Sequence, residues 1–467
     1  MKFKFLPFVC FFILIANVLF AQTEILTDPW VEASTIIGKI VVPTFPDQSY
    51  DITCYGAIGD GITDCSEAFK SAIVECSKNG GGKVVVPEGH FLTGPIYLLS
   101  NVNLNVTENA VIKFSTDPNK YLPVVFTRWE GVECMNYSPL IYAYGEENIA
   151  ITGTGILDGQ GNNDNWWNWK GNKDDGWKEG MPNQKKGRNL LFEMGENNIP
   201  PEKRVFGEGY YLRPSFLQPY KCKNVLIDGV TFKDSPMWFL NPVLSENITV
   251  KNVTVEGLGP NNDGFDPECS KNILVKNCYF NTGDDCIAIK SGRNNDGRRI
   301  NIPSENIVIQ NCVMKEGHGG VVIGSEISGG VKNVFAENCI MDSPNLERAI
   351  RLKTNSIRGG VIENLFVRNI KVGEVSEAVL KIDYYYEEGD KGQFTPEIRN
   401  IQLENVESQK SPYAIWIKAY DRSPVHHLVL KNCRFAEVTY QNVLENVDEP
   451  KFFGVLFSGE GFKQDNK

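Results

Sequence analysis

A short part of this chain holds most of the side chains that could do chemistry on a sugar. They are three carboxylates, one histidine and one basic pair, namely Asp263, Asp284, Asp285, His318, Arg351 and Lys353. Hydrolysis of a glycosidic bond with inversion needs one carboxylic acid to protonate the leaving oxygen and a second carboxylate to activate water. Three neighbouring aspartates repel one another when all are ionised, so one of them should keep its proton near neutral or mildly acidic pH. The pattern therefore indicates general acid–base catalysis, against the alternative of a turn or a cation site.

The basic pair indicates the charge of the substrate. Arg351 and Lys353 are two residues apart, so on a strand both face the same side, and an arginine can bind a carboxylate through two parallel hydrogen bonds. The chain has a formal net charge of −11, so cations beside its acids are better explained by an anionic sugar than by general steering. Lys290 is a further candidate for substrate binding, against an ordinary solvated lysine. His318, between glycines, has room to meet a ligand, although a lone histidine is more often structural.

A repeat must position these residues. A box of the form Asn-apolar-x-apolar-x-Asn recurs, with starts at Asn247, Asn272, Asn306, Asn333, Asn364, Asn400 and, with histidine leading, His427. Successive starts from Asn224 onward lie 23 to 36 residues apart, which suits one coil of a solenoid. The alternation inside each box is that of a strand, and most boxes have no helix-length amphipathic segment between them. We predict an all-β fold, a single-stranded parallel β-helix with strands about 4.8 Å apart.

The polar residues follow the box strands on four successive coils, so they should lie along one wall. Four coils span roughly 15 Å, about the reach of a short oligosaccharide. Asp284 and Asp285 can both reach this groove only if Gly283 and Asp284 bend the backbone. The asparagines that end each box are interpreted as structural, because asparagine tolerates left-handed backbone and bonds its own turn. The cysteines that follow the closing asparagines should be core residues, namely Cys278, Cys312, Cys339 and Cys433.

The N-terminal part of the chain is organised differently. Residues 1–21 combine two lysines with an apolar run and end at Ala21, which is typical of a signal peptide and predicts a protein exported to the periplasm or the outside. Residues 22–49 form an extension, and residues 50–100 an N-terminal cap with the first coils. A helix from about Asp64, with Ala68, Ala72, Ile73 and Cys76 on one face, should cover the open end of the β-helix. Residues 101–460 form the catalytic β-helix domain.

Composition excludes some partners. Without the two lysines of the signal peptide the formal charge moves from −11 to −13, so no basic face for nucleic acid is expected. No segment after the signal peptide is apolar enough to span a bilayer. We also expect the protein to be a monomer. The mature chain keeps eleven of twelve cysteines. We predict at most a few disulfides, with Cys54 to Cys65 as one candidate, and at least one free thiol.

An insertion at about residues 160–205 interrupts the repeat. It holds four of the eight tryptophans, namely Trp166, Trp167, Trp169 and Trp177. Since sugars stack on aromatic faces, this segment could form a wall of the binding cleft. It could equally be a lid held down by its own tryptophans.

The four ordered motifs resemble those of the polygalacturonase family, glycoside hydrolase family 28. They are Asn261-Asn262-Asp263, Gly283-Asp284-Asp285, Gly317-His318-Gly319 and Arg351-Leu352-Lys353. The resemblance implies a right-handed parallel β-helix with an N-terminal capping helix, and hydrolysis of α-1,4-galacturonosyl bonds in a pectic polysaccharide or oligogalacturonide. It implies inversion without metal or cofactor. The early insertions and segments such as Val322-Ile-Gly-Ser-Glu326 resemble bacterial exo-acting members.

The same resemblance implies a role for each motif residue. Asp284 would be the general acid, while Asp263 and Asp285 would hold the attacking water. His318 would support the ionisation of the acid or bind the substrate, and Arg351 and Lys353 would bind the galacturonate carboxylate. A site-lining tyrosine should come from Tyr384-Tyr385-Tyr386. Tyr385 is taken as the candidate, while the resemblance leaves the choice among the three open.

Two other functions fit the same scaffold. A calcium-dependent pectate lyase would use the three aspartates as metal ligands and Arg351 as the base. A non-catalytic β-helix would only bind polysaccharide, and changing Asp284 to asparagine would then alter nothing measurable.

Overall fold

The computed structural model describes residues 28–463, so the predicted signal peptide lies outside the described residues. The chain winds into a right-handed parallel β-helix, which confirms the fold predicted from the repeat. Most coils contribute three short strands, two to a large bent sheet and one to the wall that carries the candidate site. Among the described residues, no helix is long and apolar enough to cross a membrane.

The strands divide into four sheets. The 25-stranded sheet comprises Ser49–Asp51, Asp60–Asp64, Gly82–Val86, Gly89–Thr93, Val102–Val106, Ala110–Phe114, Glu147–Gly153, Ile156–Asp158, Lys223–Asp228, Thr231–Lys233, Glu246–Lys251, Thr254–Gly257, Lys271–Lys276, Tyr279–Thr282, Ser304–Gln310, Val313–Met314, Val331–Glu337, Ile340–Met341, Val361–Glu374, Glu397–Lys410, Val425–Lys431, Arg434–Phe435, Val447–Asp448, Lys451–Phe453 and Leu456–Phe457. The three-stranded sheet comprises Ile96–Tyr97, Ile141–Tyr144 and Leu217–Tyr220. The six-stranded sheet comprises Ile287–Ile289, Val321–Ile323, Arg348–Lys353, Ala378–Asp383, Tyr413–Lys418 and Val443–Glu445. Val125–Trp129 and Val132–Asn136 form an antiparallel hairpin.

Isolated parallel bridges join the three-stranded and six-stranded sheets into one wall. Leu217 pairs with Leu240, Leu240 with Phe265, and Phe265 with Ile287. This wall is called the site wall below. Every second side chain along it points into the core, where Phe265 and Ile287 are fully buried. The intervening side chains point outward, so residues far apart in the chain are stacked on one outer face.

Two ladders of asparagines hold the corners of the coils. The amide of Asn247 donates to Asn224, that of Asn306 to Asn272, and that of Asn333 to Asn306. The asparagines at both ends of the boxes have positive φ, for example 57° at Asn247 and 55° at Asn252. Left-handed backbone suits asparagine because its short side chain bonds locally. Their structural interpretation therefore agrees with the geometry.

Residues 28–463 contain four α-helices beside the strands, namely α1 (Pro29–Lys39), α2 (Ser66–Lys78), α3 (Lys185–Glu196) and α4 (Asn294–Ile300). Short 3-10 helices lie at Ile52–Tyr55, Pro118–Tyr121, Trp166–Lys170, Pro201–Lys203 and Glu460–Phe462. Helix α2 is the one predicted from sequence, and its apolar face joins the main core with Ala72 and Cys76 completely buried. Its role as a cap of the open end stays a prediction.

Helix α1 lies in the N-terminal extension, for which the sequence predicted no element. Trp30 and Ile36 pack against Val308 and Phe335, which point outward from the large sheet. The guanidinium of Arg368 also lies 3.9 Å from the Trp30 ring. The helix therefore covers apolar side chains that the repeat leaves outside its core.

The cysteines pack as isolated thiols. Within residues 28–463 all eleven are free, so the candidate disulfide between Cys54 and Cys65 is wrong. Cys65 is buried at the start of α2, where its thiol faces backbone carbonyls, whereas Cys54 is exposed. The cysteines of the repeat are buried, as predicted, with Cys312 completely so.

Candidate active site

Three carboxylates meet at one point on the outer face of the site wall. One oxygen from each of Asp263, Asp284 and Asp285 lies within 4.8 Å of the others. Asp263 and Asp285 are buried, whereas 17% of the Asp284 side chain is exposed. The two motifs come from neighbouring coils, because the Gly264 N–H donates to the Asp285 carbonyl and Phe265 pairs with Ile287.

The backbone bends where the sequence required it to bend. Residues 283–286 lie between the strands that end at Thr282 and begin at Ile287. A Cβ at Gly283 would stand 2.3 Å from the Gly259 carbonyl oxygen, so only glycine fits this close approach between coils. The Asp284 carboxylate accepts the N–H of Asp285 over 3.0 Å. This turn brings both aspartates to the same side of the chain.

His318 and Asp284 form an ion pair at the open edge of the cluster. The Nδ1 of His318 lies 2.9 Å from Oδ1 of Asp284. The hydrogen bond to Asp284 raises the pKa of His318 to about 9, although partial burial opposes the shift. Burial alone would raise the pKa of Asp284, but His318 and the nearby lysines outweigh it and hold that pKa well below its usual range. In the free protein the proton of this pair therefore stays on His318 until the pH rises through about 9.

The pKa of Asp263 is shifted in the opposite direction to that of Asp284. Burial and the neighbouring Asp284 raise the pKa of Asp263 to about 7, and Lys290 only partly offsets them. Among the described residues, its Oδ1 is buried without a hydrogen-bond partner. Asp263 therefore keeps its proton more readily than Asp284, and when ionised it is a stronger base than an ordinary aspartate.

Lys290 holds several carboxylates below the cluster. Its Nζ lies 3.4 Å from Asp263, 3.3 Å from Asp266 and 3.7 Å from Glu326, and 4.6 Å from the centre of the Trp238 ring. Its side chain is 3% exposed, so the alternative of a solvated lysine is wrong. Burial and the nearby Asp263 raise the pKa of Asp266 well above its usual range. Lys290 thus lies beside Asp263 of the cluster and also pairs with the buried Asp266 and Glu326.

The basic pair surrounds Asp285. The Nζ of Lys353 lies 2.6 Å from Oδ2 of Asp285, and a guanidinium nitrogen of Arg351 lies 3.5 Å from Oδ1. Both cations therefore face the same side of their strand, as the spacing predicted. Burial opposes the charge on Lys353, but Asp285 outweighs it and raises the pKa of Lys353. Lys353 also lines a cavity of about 230 Å³ beside the cluster, and Arg351 does not.

The tyrosine beside this pair is Tyr386, so the assignment to Tyr385 is wrong. The centre of the Tyr386 ring lies 5.2 Å from Nζ of Lys353 and 5.3 Å from the guanidinium of Arg351, and Tyr386 lines the cavity. Tyr385 is 44% exposed and packs edge-on against Tyr420. The strand ends at Asp383, so strand alternation no longer determines which of the three tyrosines turns towards the site.

Asp263 and Asp284 open into this cavity of about 230 Å³, whereas the fully buried Asp285 does not line it. The insertion forms part of its wall through Lys170, whose Nζ lies 2.6 Å from Asn261, and through Arg188, which pairs with Glu130 over 2.8 Å. The four tryptophans of the insertion do not line the cavity. Trp166 is buried against Trp169, for example, which matches the alternative of a segment held down by its own tryptophans.

A second, larger cavity of about 710 Å³ lies beside α2. Its lining is largely apolar, and its charged side chains pair with each other, as Lys120 does with Asp64 over 2.7 Å. It contains no cluster of carboxylates like that on the site wall. The smaller cavity is therefore the one suited to chemistry.

The three aspartates have the spacing of a metal site, but each already has a cation. Lys290 faces Asp263, His318 faces Asp284, and Lys353 faces Asp285. Calcium takes six to eight oxygen ligands and would have to compete with these positive charges. The arrangement fits calcium poorly and fits an acid–base site well.

Sequence reasoning missed several residues of the cavity. They are Glu130, Lys170, Arg188, Trp238, Glu326 and Glu387, together with the buried Asp266 behind them. Glu130, Lys170 and Arg188 lie in segments without repeat periodicity, so no pattern pointed to them. Asp266 offered a signal, since it lies three residues after Asp263 in the same motif.

Comparison with known proteins gives one family. The model of glycosyl hydrolases family 28 matches residues 208–451. A crystal structure of a hyperthermoactive exopolygalacturonase from Thermotoga maritima superposes with a TM-score of 0.89 and 47% identity, covering 92% of this chain and 96% of that one. An exo-poly-alpha-D-galacturonosidase of Dickeya chrysanthemi is 26% identical over 440 residues, covering 87% of this chain and 70% of the relative. A probable polygalacturonase of Vitis vinifera is 27% identical over 400 residues, covering 82% and 74%.

Proposed function

This chain belongs to glycosyl hydrolases family 28, and from that membership we propose that it is an exo-acting polygalacturonase. It hydrolyses polygalacturonate, with α-1,4-galacturonosyl linkages in pectin as the bonds cleaved and inversion at the anomeric carbon. One observation carries the proposal: two carboxylates of the cluster, Asp263 and Asp284, and cationic side chains beside them line a cavity with room for about one charged sugar.

The size and walls of the cavity support action at a chain end. At about 230 Å³, it is smaller than the roughly 300–1,000 Å³ of pockets that hold drug-sized ligands. The insertion contributes Lys170 and Arg188 to its wall, and the hairpin contributes Glu130. Lys353, Lys170 and Arg188 supply positive charge for the carboxylate of a terminal galacturonate.

The acid half of the mechanism uses Asp284 together with His318. Binding of an anionic sugar beside Asp284 raises the pKa of that carboxyl, so the proton held on His318 moves across the 2.9 Å hydrogen bond. As the glycosidic C–O bond breaks, Asp284 passes this proton to the leaving oxygen. The alcohol leaves neutral, and His318 takes up a proton from solvent for the next turnover.

The water half uses Asp263 and Asp285. The oxygen of a water bonds to the anomeric carbon, and its proton passes to Asp263, whose raised pKa suits a general base. Lys353 and Arg351 pair with Asp285 beside this water. The oxygen separations within 4.8 Å are shorter than the roughly 6.5–9.5 Å usual for inverting pairs. Inversion is proposed nevertheless on the ground of the family to which the chain belongs.

The experiment that tests exo action is the sizing of early products. Digestion of polygalacturonate should release monomeric galacturonate from the first minutes, while the viscosity of the polymer falls slowly. This is expected because a cavity for one sugar unit cannot accept the middle of a chain. Chromatography of the products over time is the measurement, and a spread of oligomer lengths from the start would contradict the proposal.

The same digest separates hydrolysis from a calcium-dependent lyase. With a chelator present, release of galacturonate should continue and no ultraviolet absorbance of an unsaturated product should appear. Loss of activity on chelation, with absorbance restored by calcium, would favour elimination.

We also propose that the protein is exported. The lysines and the apolar run of residues 1–21, ending at Ala21, support this. A pectic polymer is also found outside cells, where an exported enzyme can reach it. N-terminal sequencing of the protein recovered from culture medium or periplasm is the direct check.

A further inference from the structure

The site wall continues past the cavity over the later coils. Ala288 pairs with Val322, Val322 with Arg351, Arg351 with Lys381, and Lys381 with Trp416. A parallel row two residues further along pairs Lys353 with Asp383, and Asp383 with Lys418. The residues between the rows, such as Ile382 and Ile417, are completely buried. Both rows therefore lie on the outer face that carries the catalytic candidates.

Trp416 lies between two lysines on this face. The Nζ of Lys381 lies 4.5 Å from the centre of its ring and that of Lys418 lies 5.5 Å away. The lysines pair with Glu377 and with Glu445, the second at 3.6 Å. Lys418 and Glu445 are 41% and 48% exposed, and a surface pair of this kind is weak, so a carboxylate on a bound sugar can take the place of Glu445. Lys381 is only 12% exposed and stays paired with Glu377. An aromatic ring flanked by cations matches a sugar that carries a negative charge.

Further aromatic side chains extend the surface. Tyr413 begins the same strand as Trp416 and packs against Tyr440, their ring centres 5.1 Å apart. Tyr440 is 53% exposed. Aromatic rings supply large, rigid contact area, and here they lie along the direction in which the coils stack.

The distances suit a chain that starts in the cavity. Asp285 and the strand of Trp416 are separated by four strand spacings, since the rows run through Val321–Ile323, Arg348–Lys353 and Ala378–Asp383. Four spacings amount to roughly 19 Å, the length of a few linked sugars. Tyr386 and Glu387 of the later coils also line the cavity, so a polymer whose end occupies the cavity can reach these coils along the same wall.

We propose that Trp416, with Lys381 and Lys418, forms a second binding platform for the polygalacturonate chain, several sugar units beyond the bond that is cleaved. The platform rests on the proposed function, because it assigns the same substrate to a remote part of the same wall. It holds long chains in place and leaves the terminal unit to the cavity. Chain length should therefore decide how much a change at Trp416 matters.

The test compares long and short substrates. For Trp416→Ala, the ratio of kcat/KM on polygalacturonate to kcat/KM on digalacturonate should fall about tenfold through KM, which is the order expected for one aromatic contact. Trp416→Phe should keep most of the ratio. The matched control is Phe453→Ala, which removes a 55% exposed aromatic side chain from the large sheet and should leave the ratio as in the wild type. An unchanged ratio for Trp416→Ala, or an equal fall for Phe453→Ala, would overturn the platform.

A binding measurement separates this proposal from the hydrolase proposal. Calorimetry with hexagalacturonate on the Asp284→Asn protein should show affinity weakened about tenfold by the added Trp416→Ala change. If the wild type hydrolyses neither substrate, the proposed function fails, yet this weakening would still support the platform. Equal affinity with and without Trp416, or no binding of hexagalacturonate to either protein, would overturn it.

Discussion

Replacing Asp284 by asparagine is expected to lower kcat on polygalacturonate by about 10³–10⁴, the upper range for loss of a general acid. The amide cannot pass a proton to the leaving oxygen, and it also removes the partner that holds the proton on His318. Folding should be retained, because the side chain lies at the open edge of the cluster with 17% of its surface exposed. The measurement is kcat from galacturonate release, with circular dichroism as the check on folding.

A substrate whose leaving group needs no proton shows whether Asp284 is the general acid or a residue that holds the attacking water. An aryl galacturonide with a nitro-substituted phenol leaves without a proton, so the Asp284→Asn protein should regain most of its rate on that substrate. Asp263→Asn is the matched variant, since it changes a neighbouring carboxyl in the same cluster, and it should stay slow on both substrates. Rescue of Asp263→Asn instead of Asp284→Asn would reverse the two roles. That outcome has a physical basis, because Asp263 keeps its proton more readily in the free protein.

The second large effect is expected at Lys353. Lys353→Met should lower the free energy of unfolding by about 3–5 kcal/mol, the usual result of leaving one charge of a buried pair without its partner. Lys353 and Asp285 are 7% and 0% exposed and lie 2.6 Å apart. Arg351 lies 3.5 Å from the same carboxylate and still offers it a positive charge. The loss of unfolding free energy should therefore lie towards the lower end of this range. Urea unfolding followed by fluorescence measures the change.

A double change isolates the pair. Lys353→Met combined with Asp285→Asn should recover much of the lost stability, because neither buried charge then remains. Activity should stay low in both proteins, since Asp285 is assigned to the water. A double variant no more stable than Lys353→Met would show that the loss comes from packing of the lysine stem and not from the unpaired carboxylate.

The repeat made the fold and the location of the site predictable. The boxes are local in sequence and regular in spacing, so strand alternation and stacking followed from them directly. The asparagine ladder, such as Asn333 to Asn306, repeats once a coil and keeps the coils in register. Register in turn places Asp285 and Arg351 on one outer face although 66 positions of sequence separate them. The prediction that successive coils would gather these residues agrees with the structure.

Features outside the repeat were not predictable in the same way. Helix α1 covers Leu274, Val308, Phe335 and Phe366, which pair across four successive strands on the outer face of the large sheet. Each appears as one apolar residue at an outward position and attracts no attention alone. Aligned by coil, they form a stripe that needs a cover, and that alignment could have revealed the helix.

Irregular segments form part of the cavity wall. Glu130 follows the first strand of a hairpin, Lys170 ends a 3-10 helix, and Arg188 lies in α3. Their approach to the aspartates depends on tertiary packing of an insertion, which neither periodicity nor spacing specifies. The sequence did not single out Tyr386 among the three tyrosines for a related reason. Strand alternation gives no direction to a side chain once the strand has ended at Asp383.

The most direct test of the account is the configuration of the first sugar released. Proton NMR of the earliest turnovers on trigalacturonate should show the β-anomer of galacturonate first, with the α-anomer appearing only as the free sugar equilibrates. This result is expected if Asp284 protonates the leaving oxygen while a water held by Asp263 and Asp285 attacks from the opposite face. Initial appearance of the α-anomer would mean a covalent intermediate on one of these aspartates and would contradict the mechanism.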